Sequence, residues 1–207
     1  MKIIDLTAEI YNKMPVYPGD PEVEIQEIYS VEKDGYSVSK IKINDHTGTH
    51  VETQSHLIKG KKIEEEPLER FIGKAAIIDI KTGKVEIEDI RKYENLMDGC
   101  DILLMRSGYS GRKNGIFSRD TERPILSLDA IKWIIGKRIK ILGIDAFDFD
   151  PSPTYEGHKL CFKKNVLIVE GLVNLENIRT NKVKLHVIPL KIRGTGSSPC
   201  RVFAIEE

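Results

Sequence analysis

Three of the chain's five histidines fall within eleven positions of one segment, DHTGTHVETQSHLIKG (45–60). They are His46, His50 and His56, with Glu52 between the second and third. Imidazole nitrogens and a carboxylate are the donor set that holds a catalytic divalent metal while leaving coordination positions open. The competing reading is a polar surface loop that is merely rich in histidine. A metal holds such donors at roughly 2.0–2.2 Å, whereas ten residues of straight strand span about 33 Å. A straight strand therefore cannot gather His46 and His56. A helix places 46 and 50 on one face but turns 52 and 56 away, and Thr47, Gly48, Thr49, Val51 and Thr53 are poor helix formers. A curled strand-to-loop segment remains, with Gly48 free to make the turn. In it His46, His50 and Glu52 can converge. A His-x3-His pair is common, so this segment alone leaves both readings open.

A second cluster of chemistry-bearing residues lies about a hundred positions on. GIDAFDFDPSP (143–153) carries Asp145, Asp148 and Asp150; His158 follows, then VLIVEGLVNL with Glu170. An acid that ends a buried apolar strand is costly unless it is paired, protonated or metal-bound. Glu170 is such an acid, unless it faces solvent at the strand end and pairs with a lysine. Asp145 presents the same alternatives.

The elements that must position these residues are short apolar runs. Ile3–Leu6, Val23–Ile28 and Val38–Ile43 read as strands, the last two by alternation. Ala75–Ile80, Asp101–Met105, Ile139–Ile144, Val166–Val169, Val183–Ile188 and Val202–Ile205 read as further strands. Helical signals lie between several of them. Pro67 opens a short helix to Phe71, Ile87–Tyr93 is amphipathic, Ser127 is an N-cap for LDAIKWIIGK, and His158–Lys164 forms one further short helix. The pattern predicts an α/β protein with a mixed sheet, parallel in part, helices packed outside it and extra antiparallel strands near the N-terminal third. Polar connectors at 15–21, 107–124 and 193–199 are where a site would be built. None is composed like an interdomain linker, and 207 residues fit one domain spanning 1–207.

Composition narrows the function classes. Lys+Arg and Asp+Glu are 32 each, so a net charge of zero removes the general electrostatic case for nucleic acid and leaves only a local basic patch to supply one. No apolar run approaches the ~18–20 residues of a membrane helix, and Asp5 and Glu9 interrupt any signal-like N-terminus. Cys100, Cys161 and Cys200 are scattered and odd in number, against a disulfide framework or a thiolate zinc site. A cytoplasmic location is expected. Among the remaining candidates, Tyr17 in its Pro-rich turn lines a pocket or packs its own loop; Trp133 lies on an apolar helix face; His186 alternates within a strand. KGKKIEEE (59–66) reads as a solvated charge run, and GTGSSP (194–199) could offer backbone N–H groups to an anion.

These residues together resemble the metal-dependent cyclase family of hydrolases, which includes bacterial kynurenine formamidases and isatin hydrolases. The family's central pattern, His-x-Gly-Thr-His-x-Asp-x-Pro-x-His, stands here as residues 46–56, with Glu52 in place of Asp and Gln54 in place of Pro. IDLT (4–7), MPVYPGDP (14–21), LLMRSGY (103–109), GID (143–145), IVEGLVNL (168–175) and PLKIRGTGSSPCRVFA (189–204) are similar to its other stretches in the same order. The resemblance implies a swivelling β/β/α fold, with a mixed, barrel-like sheet layer and peripheral helices. It implies a first metal on His46, His50 and Glu52, a second completed by His158 and Glu170 with Glu52 and Glu170 shared, and His56 as proton donor and acceptor. The implied metal is zinc, in one or two ions, or manganese; the implied assembly is a homodimer or homotetramer. The implied activity is hydrolysis of a C–N bond other than a peptide bond in a small amide, formamide or lactam. A cyclase or cyclic-ester reaction on the same site, and a metal-binding protein without turnover, are the alternatives.

Overall fold

The aliphatic runs form the strands that their composition predicts, and the closure of those strands into a ring creates the site. The computed structural model describes residues 1–112 and 122–206, so positions 113–121 of the connector at 107–124 lie outside the described residues. In chain order the strands are β1 (Lys2–Asp5), β2 (Glu24–Tyr29), β3 (Val38–Lys42), β4 (His50–Glu52), β5 (Ile72–Asp79), β6 (Gly83–Val85), β7 (Ile102–Arg106), β8 (Pro124–Leu126), β9 (Ile141–Ile144), β10 (Leu167–Glu170), β11 (Lys182–Pro189) and β12 (Ser197–Glu206).

The main sheet runs β1-β12-β11-β5-β7-β9-β10-β4, and β4 pairs again with β12. Seven strands therefore form a closed, barrel-like ring, with β1 attached outside it on β12. β5, β7, β9 and β10 are parallel neighbours; β4, β11 and β12 join antiparallel. The mixed, barrel-like sheet is the one implied by the resemblance. The antiparallel strands expected near the N-terminal third are present as β1, the β2–β3 pair and β4, and β11 and β12 add antiparallel pairing from the C-terminal end. An edge strand carries a row of unpaired backbone groups, and closure of the ring leaves β1 as the edge strand of this sheet.

Period-two alternation in the parallel strands feeds two apolar layers. Ala75, Ile102, Ile141 and Leu167 lie side by side in register and belong to one cluster with Val51, Leu185 and Val202. Their neighbours Ala76, Leu103, Leu142 and Ile168 face the other way, against Ala130, Ile131 and Ile134 of the helix Leu128–Ile135 and Cys161 and Phe162 of the helix Glu156–Lys163. Burial on both faces is why these runs read as continuous rather than alternating. Each fully buried aliphatic side chain contributes roughly 1.5–3 kcal/mol. Ser127 caps the first helix, accepting the Ala130 N–H at 3.3 Å.

Two stretches depart from expectation. The charge run at 59–66 is not uniformly solvated: Ile63 and Glu66 are buried, and Glu66 faces Lys61 at 3.9 Å and Arg70 at 3.6 Å. β2 and β3 form a separate two-stranded sheet in which no residue is buried. This hairpin, with the short helical turn Val31–Asp34 at its tip, exposes Ile28, Tyr29, Val31, Tyr36, Val38 and Ile41. Among the described residues, no helix is long and apolar enough to cross a membrane.

Candidate metal centre

The curled segment inferred from residue types is present. Asn44 accepts the His46 N–H at 2.8 Å, Gly48 turns the chain at φ 65°, and Thr49 donates to the Gly171 carbonyl at 2.6 Å. β4 then runs between β10 and β12, placing His50 opposite both Glu170 and Pro199, and Glu52 opposite both Ile168 and Ser197. The short 3-10 turn Gln54–His56 brings His56 back beside Glu52. Gln54 stands where the resembled pattern has proline. Its amide nitrogen donates to the Phe162 carbonyl at 2.9 Å and its oxygen accepts the Lys61 N–H at 3.2 Å. Two hydrogen bonds thus hold the turn that a proline would hold covalently.

Glu52 is the hub. Its Oε1 lies 3.1 Å from His46 Nδ1 and 3.6 Å from both His50 Nε2 and His56 Nε2, while Oε2 lies 3.7 Å from His158 Nε2. The Gly48 carbonyl accepts from His50 Nδ1 at 3.0 Å, which leaves the Nε2 lone pair facing Glu52 and, at 3.8 Å, Glu170 Oε2. Asp150 accepts from His158 Nδ1 at 2.8 Å, so that His158 Nε2 faces Glu170 Oε1 at 3.2 Å. His46 is braced from behind by the Ser197 hydroxyl, 2.9 Å from Nε2, and that hydroxyl donates to Asp45 at 2.7 Å. The 194–199 stretch thus contributes this side chain, and its Gly194 N–H donates to the Glu64 carboxylate at 2.9 Å.

Glu52 and Glu170 are 2% and 4% exposed. Burial alone would push the Glu52 carboxyl up, but hydrogen bonds with His46 and His50 and the charges of His56 and His158 hold it well below the ordinary glutamate value. Glu170 is pushed up by burial and by repulsion from Glu52, against a hydrogen bond from His158. Burial opposes a charge on His46; the hydrogen bond to Glu52 and the fields of Glu52, Asp45 and Glu170 overcome it and raise its pKa to about 9. His56 is lowered, by burial first and by the neighbouring imidazoles, with Glu52 opposing. Burial likewise opposes a charge on His158, but the hydrogen bonds to Asp150 and Glu170 and the charges of Glu52 and Glu170 raise its pKa well above the ordinary value.

This arrangement fits a divalent cation. Buried charges persist when paired or metal-bound, and His50 Nε2 and Glu52 Oε2 are buried without a hydrogen-bond partner. Among the described residues, three sets of donors each lie within 4.8 Å of one another: His46, Glu52 and His56; His50, Glu52 and Glu170; Asp148, His158 and Glu170. Glu52 and Glu170 each belong to two sets, the arrangement a pair of ions would use.

The donors open into a pocket of about 170 Å³, whose wall includes Tyr17, Leu57, Phe147 and Tyr155. The Tyr17 and Tyr155 hydroxyls lie 3.1 Å apart. All seven residues singled out in the sequence, Tyr17, His46, His50, Glu52, His56, His158 and Glu170, reach this pocket. Sequence reading gave no role to Ser197, Phe147 or Tyr155, and left Asp145, Asp148 and Asp150 undifferentiated. The structure separates the three acids. Asp145 accepts Ser107 and Gly108 N–H groups at 3.0 and 2.7 Å, Asp148 pairs with Arg123 at 3.2 Å, and Asp150 holds His158. Cys161 and Cys200 are buried, their thiols pushed up by burial, and Tyr109 belongs to the core.

Comparison with known proteins finds similarity along nearly the whole chain. The Cyclase family model, described as "Putative cyclase", matches residues 4–151. A kynurenine formamidase of Bacillus anthracis is 28% identical over 208 residues, covering 97% of this chain and 95% of its own. A solved structure described as a potential metal-dependent hydrolase with cyclase activity superposes at a TM-score of 0.81 with 28% identity, covering 100% of this chain and 99% of that one. Isatin hydrolase A from Labrenzia aggregata, bound to benzyl benzoate, superposes at 0.85 with 25% identity, covering 98% and 93%.

Proposed function

The chain belongs to the Cyclase family, and on that premise we propose that it hydrolyses the C–N bond of a small amide, formamide or lactam. It is a metal-dependent hydrolase acting on bonds other than peptide bonds. The observation that carries this reading is the convergence of two distant stretches, 46–56 and 158–170, on one buried carboxylate, Glu52. The relatives are named for a formamide and for isatin, a cyclic amide; opening either bond is attack of water on an amide carbonyl.

In this reading His46, His50 and Glu52 would hold one ion and His158 and Glu170 would complete a second, with Glu52 and Glu170 shared between them. A bound divalent metal, zinc or manganese, supplies a Lewis acid that brings the pKa of water from 15.7 towards about 7 and takes up charge on the carbonyl oxygen. The protein's own groups do the rest. His56, kept below the ordinary imidazole value by burial, offers a neutral nitrogen that takes a proton during attack and returns it to the leaving amine. Leu57 and Phe147 present apolar surface to the substrate ring, and the Tyr17 hydroxyl, at the pocket wall, is placed to orient its polar edge.

The exposed apolar hairpin supports self-association. An isolated two-stranded hairpin is marginally stable in water, and a second copy covering Tyr36, Val38 and Ile41 would give a homodimer or a higher homo-oligomer. Three unpaired cysteines fit a reducing cytoplasm. One sheet carries His50, Glu52 and Glu170 from the two stretches, which supports residues 1–207 as a single hydrolase unit.

The test is a screen of N-formyl anilines, isatin and small lactams with and without a chelator. Hydrolysis that a chelator abolishes and zinc or manganese restores supports the assignment. Hydrolysis indifferent to chelator overturns it.

A further inference from the structure

Asp150 lies outside the donor set described above, yet its surroundings are built around one imidazole. It is 2% exposed. Its Oδ2 accepts twice from the same residue, from His158 Nδ1 and from the His158 backbone N–H, both at 2.8 Å. Oδ1 accepts the Ser152 N–H at 2.9 Å, and the Asp150 N–H is itself held by Asp148 Oδ1 at 2.7 Å. The loop therefore fixes the carboxylate before the carboxylate fixes the ring. Phe149 stacks on the His158 ring with centroids 4.7 Å apart and planes 10° from parallel. The neighbouring helix position is cleared for the contact: a Cβ at Gly157 would stand 2.9 Å from Asp150 Oδ2.

We propose that Asp150 is a positioning residue that sets the tautomer and orientation of His158, holding the proton on Nδ1 so that Nε2 is presented to the ion shared with Glu52 and Glu170. The inference rests on the reading of His158 as a metal-facing residue. A neutral imidazole can carry its proton on either nitrogen, and a ligand needs the lone pair on the side of the ion. A carboxylate on the opposite nitrogen removes that ambiguity and makes the ring a stronger base; loss of such partners typically costs about 10–100-fold in metal affinity. A carboxylate that only capped the 156–163 helix would bond the backbone N–H, and nothing in capping calls for the second bond to Nδ1.

The experiment compares wild type, Asp150→Asn and His158→Ala, each stripped of metal and titrated with zinc against a chromophoric chelator, with urea unfolding of the metal-free forms as the structural control. Asp150→Asn is expected to weaken one zinc equivalent about 10–100-fold and to leave the other as in wild type, whatever its unfolding midpoint. His158→Ala is expected to lose that same equivalent. If His158→Ala loses zinc and Asp150→Asn binds as wild type does, Asp150 has no positioning role and the metal reading stands. If His158→Ala itself binds as wild type does, both fall together. A second measurement needs no variant. In zinc-loaded wild-type protein, long-range proton–nitrogen NMR is expected to show His158 protonated on Nδ1 and zinc-shifted at Nε2; zinc on Nδ1 overturns the proposal.

Discussion

Glu52, on β4, reaches His158 on the helix Glu156–Lys163, Oε2 to Nε2 at 3.7 Å, from a position more than a hundred residues earlier in the chain. This glutamate carries one methylene more than the aspartate of the resembled pattern, and its Oε1 lies 3.1 Å from His46. Glu52→Asp is expected to cut bound zinc from two equivalents to one and Glu52→Gln to cut both, as measured by elemental analysis after gel filtration. Unchanged stoichiometry in Glu52→Gln would remove the hub role.

His56 stands at the mouth of the same cluster, 3.6 Å from Glu52 and half-buried rather than enclosed. His56→Ala is expected to keep its metal and lose about 10²–10⁴-fold in kcat. A variant that loses its metal along with its turnover would make His56 a ligand instead.

The pH dependence of metal uptake follows from His46. In metal-free protein its folded pKa is about 9, raised from 6.5. A raised pKa stabilises the folded metal-free protein fully below 6.5, and this contribution fades as pH rises through about 9. A metal must displace that proton. The apparent zinc affinity is therefore expected to climb with pH until about 9 and then level off, with proton release on binding. Calorimetry in buffers of different ionisation enthalpy measures both. An affinity flat across the span from 6.5 to about 9 contradicts the assignment.

Stripping the metal leaves Glu52 and Glu170 buried together with only the neighbouring imidazoles, His46 and His158 above all, to offset them. Binding to the folded state alone stabilises it by about 2.7 kcal/mol at a hundred times Kd. Zinc added to chelator-treated protein is expected to raise the melting temperature by several degrees, and Glu170→Gln to shrink that rise. Equal melting curves with and without zinc would count against a built metal site.

Ile41 is 60% exposed on a hairpin that buries none of its own residues. Ile41→Glu is expected to convert a homodimer into a monomer in light scattering at micromolar concentration while leaving the melting of the ring unchanged. A wild-type chain that is already monomeric there refutes self-association through this surface.

Much of this was legible beforehand because the signals were local. Gly48 and its threonines excluded a helix, and the aliphatic runs gave the parallel strands. β4, β6 and β8 are three residues each, too short for a period to show, and what makes β4 a strand is its pairing with β10 and β12. The acids at 145, 148 and 150 are chemically alike and lie within six positions. Only the loop that turns each one separates a clamp on Ser107, a partner for Arg123 and a brace for His158. Ser197 could not be connected with His46 from sequence, since 151 positions separate them.

The strand that bears His50 and Glu52 sits between two that are synthesised much later; even the Thr49 hydroxyl waits 122 positions for the Gly171 carbonyl. On the ribosome these imidazoles emerge early and dangle from a nascent chain that cannot yet enclose them. Zinc scavenged at that moment would meet a floppy tail rather than a cage. The cage can close only once the segments carrying Gly171 and Ser197 have been made.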